Sequence, residues 1–168
     1  MFYDKIDLGA DVMQIQTGYI YHIKDEFFDK INEKGLMINH ENGRTRPTYF
    51  TIKDNEILWF IPLSSKVSKY QPIIDKKVKK FGSCKSIMIN DIANKKSVIL
   101  LQNAFPTLEK YIDHPHTINC APVRVADNLK NEILENFSSL LALKKQGINL
   151  FFADIDKIKE KMLEELNR

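Results

Sequence analysis

The sequence predicts an α+β fold, in which a small twisted antiparallel sheet or half-open barrel is covered by helices. β-prone runs joined by turn residues precede a final third in which apolar residues recur at helical spacing. The chain has 168 residues, 43% of them hydrophobic, which is enough for one domain with a buried core. No internal repeat or linker-like tract divides it. We therefore expect a single domain over residues 13–168, with the weakly patterned residues 1–12 as an N-terminal extension of uncertain role.

The first predicted elements are a strand and a short helix. Residues 17–23 alternate polar with apolar or aromatic side chains, which is the period of a strand and places Tyr19 and Tyr21 on one face. Asp25 is suited to cap the helix that follows, and Gly35 is suited to end it.

A β-hairpin is expected after a polar loop over residues 39–46. Its strands are the β-prone runs Thr48–Ile52 and Ile57–Leu63. The four residues 53–56 between them have the composition and length of a hairpin turn.

The pattern changes from strand to helix after Pro62. Apolar side chains recur at the spacing of one helical face, at Val67, Tyr70, Ile74, Val78 and Phe81. Pro72 is tolerable in a first helical turn, and Gly82 is suited to end the helix.

Two short strands, Lys85–Asn90 and Ser97–Leu101, are expected before the C-terminal helices. The first of those helices would begin near Asp127 and stop at Gly147, and the second would be capped near Asp154. Each presents an apolar stripe, so both are expected to cover the sheet.

Positive charge is concentrated in one part of the chain. The net charge is +3, but residues 60–85 carry +6 and the remainder −3. The lysines of that stretch are Lys66, Lys69, Lys76, Lys77, Lys79, Lys80 and Lys85. This asymmetry indicates a polyanionic partner such as nucleic acid, although a helix with a solvated lysine face would give the same pattern.

Several classes of protein are disfavoured. The longest apolar runs are far shorter than the ~20 residues of a membrane span, and the N-terminus lacks the pattern of a signal peptide, so a cytoplasmic protein is expected. The phosphate-binding loop, dinucleotide-binding and nucleophile-elbow motifs are absent, and no cofactor is expected.

Cysteine and histidine do not occur at metal-ligand spacing. Cys84 and Cys120 form no CxxC pair, so two buried, reduced thiols are expected rather than a metal site. His114 and His116 lie within residues 112–122, which are expected to be an irregular loop, and a solvated loop is favoured there over a metal or base site.

A candidate phosphate site begins where the second hairpin strand ends. Ser64, Ser65 and Lys66 follow Pro62 at the point where the chain turns into a helix. Free backbone N–H groups at a helix start, together with hydroxyls and a lysine, suit a phosphate group. The alternative is that Ser64 or Ser65 only caps the helix.

Other side chains are candidates to complete a nucleic-acid site. Arg44 and Arg46 precede the hairpin, and a guanidinium fork fits phosphate. Aromatic residues that could stack against unpaired bases are Tyr19, Tyr21 and Trp59. For Trp59, packing on the sheet is at least as plausible. Asn103, at the end of a buried run, could hold a base edge or a loop.

Four segments carry a family resemblance. They are RPTYF at 46–50, LWFIPLSSK at 58–66, ILLQNAFP at 99–106 and EKYI at 109–112. In this order they resemble the toxins of type III (protein–RNA) toxin–antitoxin systems, in particular the CptN/TenpN branch of the ToxN/AbiQ group. The resemblance extends from about residue 18 to residue 163.

The resemblance implies a Kid/MazF-like fold and a metal-independent endoribonuclease. Such toxins cut mRNA, and they also cut the repeated precursor of a small pseudoknot RNA that inhibits them in a cyclic protein–RNA assembly. Many defend bacteria against phage, and none of this requires a membrane. Cleavage would proceed by attack of the substrate's own 2′-OH, leaving a 2′,3′-cyclic phosphate and a 5′-OH.

The resemblance also implies roles for individual residues. Ser64, Ser65 and Lys66 would lie in the cleavage site, with Arg46 as a further catalytic cation. Some relatives have one more residue before the lysine, which leaves the roles of Lys66 and Lys69 open. The residues expected to bind RNA are Tyr19, Tyr21, Lys24, Arg44, Trp59, Lys69, Lys76, Lys77, Lys80 and Asn103. No general base is identified.

Two other functions remain open at this point. A non-catalytic RNA-binding module would keep the groove and the basic helix but would not cut RNA. A gyrase-directed toxin could be built on the same fold, although the basic helix favours RNA as the partner.

Overall fold

The computed structural model describes the backbone of residues 4–7 and 12–13 and all of residues 14–168. Its strands are β1 (Asp4–Asp7), β2 (Val12–Ile15), β3 (Ile20–Ile23), β4 (His40–Glu41), β5 (Arg44–Thr45), β6 (Pro47–Asp54), β7 (Ile57–Ser64), β8 (Met88–Ile92), β9 (Lys95–Ile99), β10 (Phe105–Thr107), β11 (Ile112–Pro115), β12 (Thr117–Ile118) and β13 (Ala121–Pro122). Its α-helices are α1 (Asp25–Ile31), α2 (Val67–Phe81), α3 (Asp127–Lys145) and α4 (Ile155–Leu166), and short 3-10 helices span Leu101–Asn103 and Glu109–Tyr111.

Within the described residues, seven strands form one antiparallel sheet in the order β11-β3-β6-β7-β9-β8, with β10 also paired to β7. β6 lies along one edge of β7, and β10 and β9 share the other edge. All eight residues of β7 are buried. Their continuous apolar run is typical of a strand covered on both faces. The predicted α+β fold, with an antiparallel sheet and two C-terminal helices, is confirmed.

The helices contact the sheet at different strands. α3 packs on β6, α4 on β10 and β7, and α2 on β8 and β9. Large aromatic side chains fill the space between them, and Phe60 on β7 stacks at 5.3 Å from Phe50 and 6.3 Å from Phe105. Phe137 of α3 and Trp59 of β7 are 5.6 Å apart. This packing fixes the end of β7, where the candidate site begins.

The central hairpin and the basic helix agree with the sequence prediction. β7 begins at Ile57 as predicted, and β6 continues to Asp54, two residues closer to the turn than predicted. Asn55 there has φ 53°, a left-handed conformation that asparagine tolerates. α2 has the predicted bounds, but Pro72 lies inside the helix rather than in its first turn. Gly82 ends the helix with φ 82° and an N–H bond to the carbonyl of Val78.

Several boundaries differ from the prediction. Asp25 lies in the first turn of α1, after the N-cap Lys24, and the helix ends at Asn32 with φ 46° rather than at Gly35. A Cβ on Gly35 would clash with the backbone of Phe152, so this glycine permits a close approach of two chain segments.

The strands and helices of the C-terminal half are shifted from their predicted bounds. β8 lies two to three residues later in the chain than predicted, and β9 lies two residues earlier. They are joined by a turn in which Ala93 and Asn94 both have positive φ. Ala126 caps α3 in place of Asp127, and the helix stops just before Gly147. The predicted cap of α4 is confirmed, because the Asp154 side chain accepts a bond from the N–H of Lys157.

Two predicted loops contain strands. Residues 39–46 hold the hairpin β4–β5, whose turn residues Asn42 and Gly43 both have positive φ. Asn-Gly is the usual sequence of such a turn, so a local signal was present. Residues 112–122 hold β11, which pairs with β3, and the hairpin β12–β13. The expectation of a polar loop was therefore wrong for residues 39–46, and the expectation of an irregular loop was wrong for residues 112–122.

Cys84 is half-buried, but Cys120 is exposed, so the expectation of a buried thiol was wrong for Cys120. Among the described residues, none of the helices has both the length and the apolar character needed to cross a membrane.

The first two strands, β1 and β2, pair with each other. The predicted extension over 1–12 falls partly on residues 1–3 and 8–11, which lie outside the described residues, and it remains a prediction.

Candidate active site

A groove of about 880 Å³ opens where β7 ends. Its walls come from β3, the hairpin β4–β5, the end of β7, the turn between β8 and β9, and β11 with the residues after it. Four of the predicted site residues line it together, namely Arg44, Arg46, Ser64 and Ser65. We refer to this cavity as the groove.

The two serines differ in their surroundings. Ser64 is 6% exposed, and its Oγ accepts a hydrogen bond from the N–H of Lys66 at 3.2 Å. Ser65 is exposed. Lys66 is the N-cap of α2 and no side chain caps this helix, so the alternative role of the serines as helix caps is not seen.

The backbone at the start of α2 is less available to an anion than expected. The N–H groups of Val67 and Lys69 bond to the carbonyl oxygens of Ser65 and Lys66. The N–H of Lys66 bonds to Ser64. Hydroxyl and cationic side chains are therefore what this segment offers to a phosphate group.

Arg46 is a rigid part of the groove wall. Its side chain is only 9% exposed. Its Nε donates to the carbonyl of Ile38 at 3.1 Å, and its Nη1 donates to the carbonyl of Leu63 at 3.0 Å. Nη1 also lies 3.1 Å from Oε2 of Glu41. These bonds fix the guanidinium beside the end of β7.

Glu41 joins the two predicted catalytic cations. Its Oε1 lies 3.1 Å from Nζ of Lys66, and its other oxygen bonds to Arg46. The hydrogen bond from Lys66 and the charge of Arg46 lower the pKa of Glu41 below its usual range. The three groups together carry a net charge of +1, and Lys66, 58% exposed, is the member open to solvent.

Three histidines form a second part of the groove, one on β3, one on the neighbouring strand β11 and one directly after β11. His22 on β3 stacks on His114 at 4.5 Å between ring centroids, and its Nε2 lies 2.9 Å from Nδ1 of His116. Oγ1 of Thr45 lies 2.8 Å from Nδ1 of His22. The expectation of a loop was wrong for His114, which β11 pairs with His22 on β3, but His114 is solvent-exposed as expected. The N–H of His116 bonds to Ile20 at the start of β3. We call these residues the histidine cluster.

His22 and His116 are neutral at physiological pH. Burial, then the neighbouring His114 and His116, lower the pKa of His22 to about 4. Burial and His114 lower the pKa of His116 as well. No set of three metal-binding side chains within the described part of the chain is placed to hold a metal ion.

Three predicted RNA-binding residues are buried, which corrects the prediction. Tyr21 is 0% exposed, and its hydroxyl accepts a bond from the N–H of Gln16. Trp59 is 6% exposed and packs on Phe137, so the alternative of sheet packing is the observed one. Asn103 is buried in a 3-10 helix and does not line the groove. Tyr19 is half-buried.

The predicted lysines lie outside the groove. Lys76, Lys77 and Lys80 line a separate hollow of about 500 Å³ on α2, together with Phe81. Lys77 donates to the hydroxyl of Ser86 at 2.8 Å.

Lys80 and Lys69 on α2, Lys24 before α1 and Arg44 on β5 are all exposed. The Nζ of Lys80 lies 5.0 Å from the Phe81 ring centroid, and that of Lys69 lies 5.3 Å from the Tyr70 centroid. Lys24 donates to the carbonyl of Lys110 at 2.9 Å. Arg44, on β5, lines the groove and has no ion-pair partner among the described residues.

Sequence reasoning missed Glu41 and the histidine cluster. Glu41 stands next to the Asn-Gly turn that marks the hairpin β4–β5. His114 and His116 are two residues apart, which is the spacing of one face of a strand. Those two signals were present, but the partner strand of β11 could not be read from local sequence.

No protein-family model matches the chain, and no curated protein matches it in sequence. Solved structures do match its fold. One is AbiQ, a lactococcal anti-phage endoribonuclease of a type III toxin–antitoxin system, with 16% identity and a TM-score of 0.69, covering 91% of this chain and 100% of that chain. Another comes from a bacterial type III system with selective toxin inhibition by a non-coding RNA pseudoknot, with 15% identity, a TM-score of 0.65 and the same coverage. The chain therefore has the fold seen in these two type III toxin–antitoxin structures.

Proposed function

We propose that the chain is an endoribonuclease toxin of a type III toxin–antitoxin system, within the CptN/TenpN branch. One observation carries the proposal. Ser64, Ser65, Arg44 and Arg46, which come from separate segments of the sequence, line one groove together with the histidine cluster. The fold shared with AbiQ supports the same assignment.

The proposed reaction uses the substrate's 2′-OH as the nucleophile. Its oxygen bonds to the adjacent phosphorus, the P–O5′ bond breaks, and the products carry a 2′,3′-cyclic phosphate and a 5′-OH. Lys66 does not line the groove but is exposed and bonds to Glu41 in its wall, and the guanidinium of Arg46 lies in the same wall. Fixed cations of this kind stabilise charge that develops on the phosphate in the transition state.

The two serines have different proposed roles. Ser65 is exposed and orients the scissile phosphate through its hydroxyl. Ser64 is buried and holds the backbone of Lys66. Of the two possible lysines, Lys66 is the one whose Nζ reaches a residue lining the groove, because it bonds to Glu41.

The proposed partners are both RNAs. The substrates are mRNA and the repeated precursor of the antitoxin, and the inhibitor is a small pseudoknot RNA held in a cyclic assembly with the toxin. The basic face of α2, with Lys76, Lys77 and Lys80, is the surface proposed to hold the inhibitor. The proposed setting is the bacterial cytoplasm, with phage defence as the role.

Expression of variants in bacteria tests this function. Wild type should stop growth and produce RNA ends with a 2′,3′-cyclic phosphate, and Ser65→Ala should reduce these ends about 100-fold. Ser68→Ala, an exposed serine in the first turns of α2, is the matched control and should behave as wild type. If wild type and Ser65→Ala are equally harmless and no cyclic phosphate ends appear, the nuclease assignment fails and a non-catalytic RNA-binding module is favoured.

A further inference from the structure

The backbone of His116 makes two hydrogen bonds, one through its N–H and one through its carbonyl. Its N–H donates to the carbonyl of Ile20 at 2.8 Å, and its own carbonyl accepts from the N–H of Val123 at 2.9 Å. His114, two residues earlier, is paired with His22 across β11 and β3. His116 is therefore positioned by the sheet and by the turn that follows, while its side chain lines the groove.

The side chain of His116 is oriented by one hydrogen bond. Its Nδ1 lies 2.9 Å from Nε2 of His22, and Nδ1 of His22 lies 2.8 Å from Oγ1 of Thr45. A neutral imidazole has one donor and one acceptor nitrogen, and a hydroxyl can serve in either role. With the proton of His116 on Nδ1, that N–H donates to Nε2 of His22, Nδ1–H of His22 donates to Oγ1 of Thr45, and Nε2 of His116 is unprotonated. Nε2 of His116 has no partner among the described residues and is left for a substrate.

The charge state of His116 suits proton transfer. Burial and the nearby His114 lower its pKa, so the ring is neutral at pH 7 and able to accept a proton. His22 is also neutral, because its pKa is about 4. His114 also lines the groove, but its Nδ1 is bonded to Oδ2 of Asp113 at 3.0 Å, and its side chain is exposed whereas His116 is half-buried.

We propose that His116 is the general base of RNA cleavage and that His22 is the residue that orients it. This assignment rests on the proposed endoribonuclease function. Nε2 of His116 takes the proton of the 2′-OH as the 2′ oxygen bonds to phosphorus and the P–O5′ bond breaks. The leaving 5′ oxygen takes a proton from solvent, and His116 later releases its own proton to solvent, so that protons balance over the cycle.

The first test measures cleavage of a random-sequence RNA pool by the whole purified chain. His116→Ala and His116→Asn should both slow the formation of 5′-OH ends by about 100-fold or more. The asparagine variant keeps a hydrogen-bonding group near the Nδ1 position. It therefore separates loss of the base from loss of the local structure. Binding of a 2′-O-methyl version of the pool should stay within about threefold of wild type, and added imidazole should restore part of the rate to His116→Ala.

His40 offers a matched control. It is half-exposed, pairs with Asp25 at 2.7 Å and does not line the groove, so His40→Ala should cleave as wild type does. A folded His116→Asn variant that cleaves within about threefold of wild type would overturn the assignment of His116 while leaving the proposed function intact. A wild-type protein that cuts none of the pool would overturn both.

The orienting role of His22 has its own test. His22→Gln keeps an amide nitrogen near the Nε2 position and should retain most of the rate, whereas His22→Leu should lose about tenfold or more. In the His116→Ala background, His22→Leu should cost no further rate, because an orienting residue acts only through the base. An equal loss from His22→Leu in both backgrounds would show a structural role instead.

Discussion

At the scale of single residues, one carboxylate organises the cations of the groove. Glu41 bonds to the exposed Lys66 and to the nearly buried Arg46, whose fork also reaches two backbone carbonyls. A buried guanidinium held by three acceptors in fixed directions is difficult to replace with another cation. Arg46 therefore links the stability of the groove to its chemistry.

Arg46→Lys should destabilise the protein although it preserves the positive charge. A lysine cannot direct separate donors to the carbonyls of Ile38 and Leu63, so the unfolding free energy should fall by about 1–3 kcal/mol. Chemical denaturation of the folded protein measures this. Arg44→Lys, on the adjacent strand, is the control and should change stability by less than about 0.5 kcal/mol. Equal changes in unfolding free energy from the two substitutions would show that the hydrogen bonds of the Arg46 guanidinium do not stabilise the fold.

At the scale of secondary-structure elements, α2 carries charge on a surface apart from the groove. Lys76 and Lys80 are one helical turn apart and line the same hollow. Both lysines are exposed, and the Nζ of Lys80 lies 5.0 Å from the ring centroid of Phe81, which lines the same hollow. The helix thus offers a separate binding surface for RNA phosphates.

The double variant Lys76→Ala/Lys80→Ala should weaken binding of a structured pseudoknot RNA. Each lost phosphate contact should also reduce the slope of log affinity against log salt, by about 0.7–0.9 per contact. Titrations at several salt concentrations measure both quantities. Lys157→Ala/Lys161→Ala on α4 removes the same charge at the same spacing and is the control. Identical affinity and slope for wild type and the α2 variant would contradict this role.

A polar cluster joins α4 to the rest of the fold. The carboxylate of Glu165 accepts bonds from Lys110, from Lys30 of α1 at 2.6 Å and from the hydroxyl of Tyr111 at 2.7 Å. Burial alone would raise the pKa of Glu165, but the hydrogen bonds from Lys110, Lys30 and Tyr111 outweigh it and lower the pKa to about 2. The cluster therefore ties three elements together only while Glu165 is ionised.

Glu165→Gln should remove a pH-dependent part of the stability. The folded pKa is lower than the unfolded one, so the contribution is present above about pH 4.5 and is lost as the pH falls toward 2. Because both lysines are half-exposed, solvent screens the attraction, and we expect about 1–2 kcal/mol at pH 7.

Denaturation at several pH values, with Glu164→Gln as the neighbouring control, measures this contribution. Wild type and Glu165→Gln should differ at pH 7 and converge near pH 2. A difference that stays constant over this range would contradict the account.

At the scale of the whole molecule, local patterns predicted the elements better than the site. The continuous apolar run of β7 and the helical spacing along α2 are local, and both elements form where expected. Ser64 and Ser65 were found because they stand where β7 ends before α2, and Arg46 because it directly precedes β6. The burial of Tyr21 could not be predicted, because strand alternation does not show which face the rest of the fold covers.

The histidine cluster shows what local sequence does not contain. His22 and His116 are 94 residues apart and meet only because β11 pairs with β3. Periodicity indicates that a strand exists but does not name its neighbour in the sheet. Lys66 and Glu41 likewise meet only through the placement of the hairpin β4–β5 beside the end of β7.

Mapping RNA ends after cleavage is the decisive test of the proposed reaction. The purified chain is incubated, with EDTA present, with a random-sequence RNA pool and with the same pool carrying 2′-O-methyl groups. We expect the RNA pool to be cut to 2′,3′-cyclic phosphate and 5′-OH ends, and the methylated pool to stay intact because its 2′ oxygens cannot attack phosphorus. Equal cutting of both pools, or no cutting of either, would contradict this reaction.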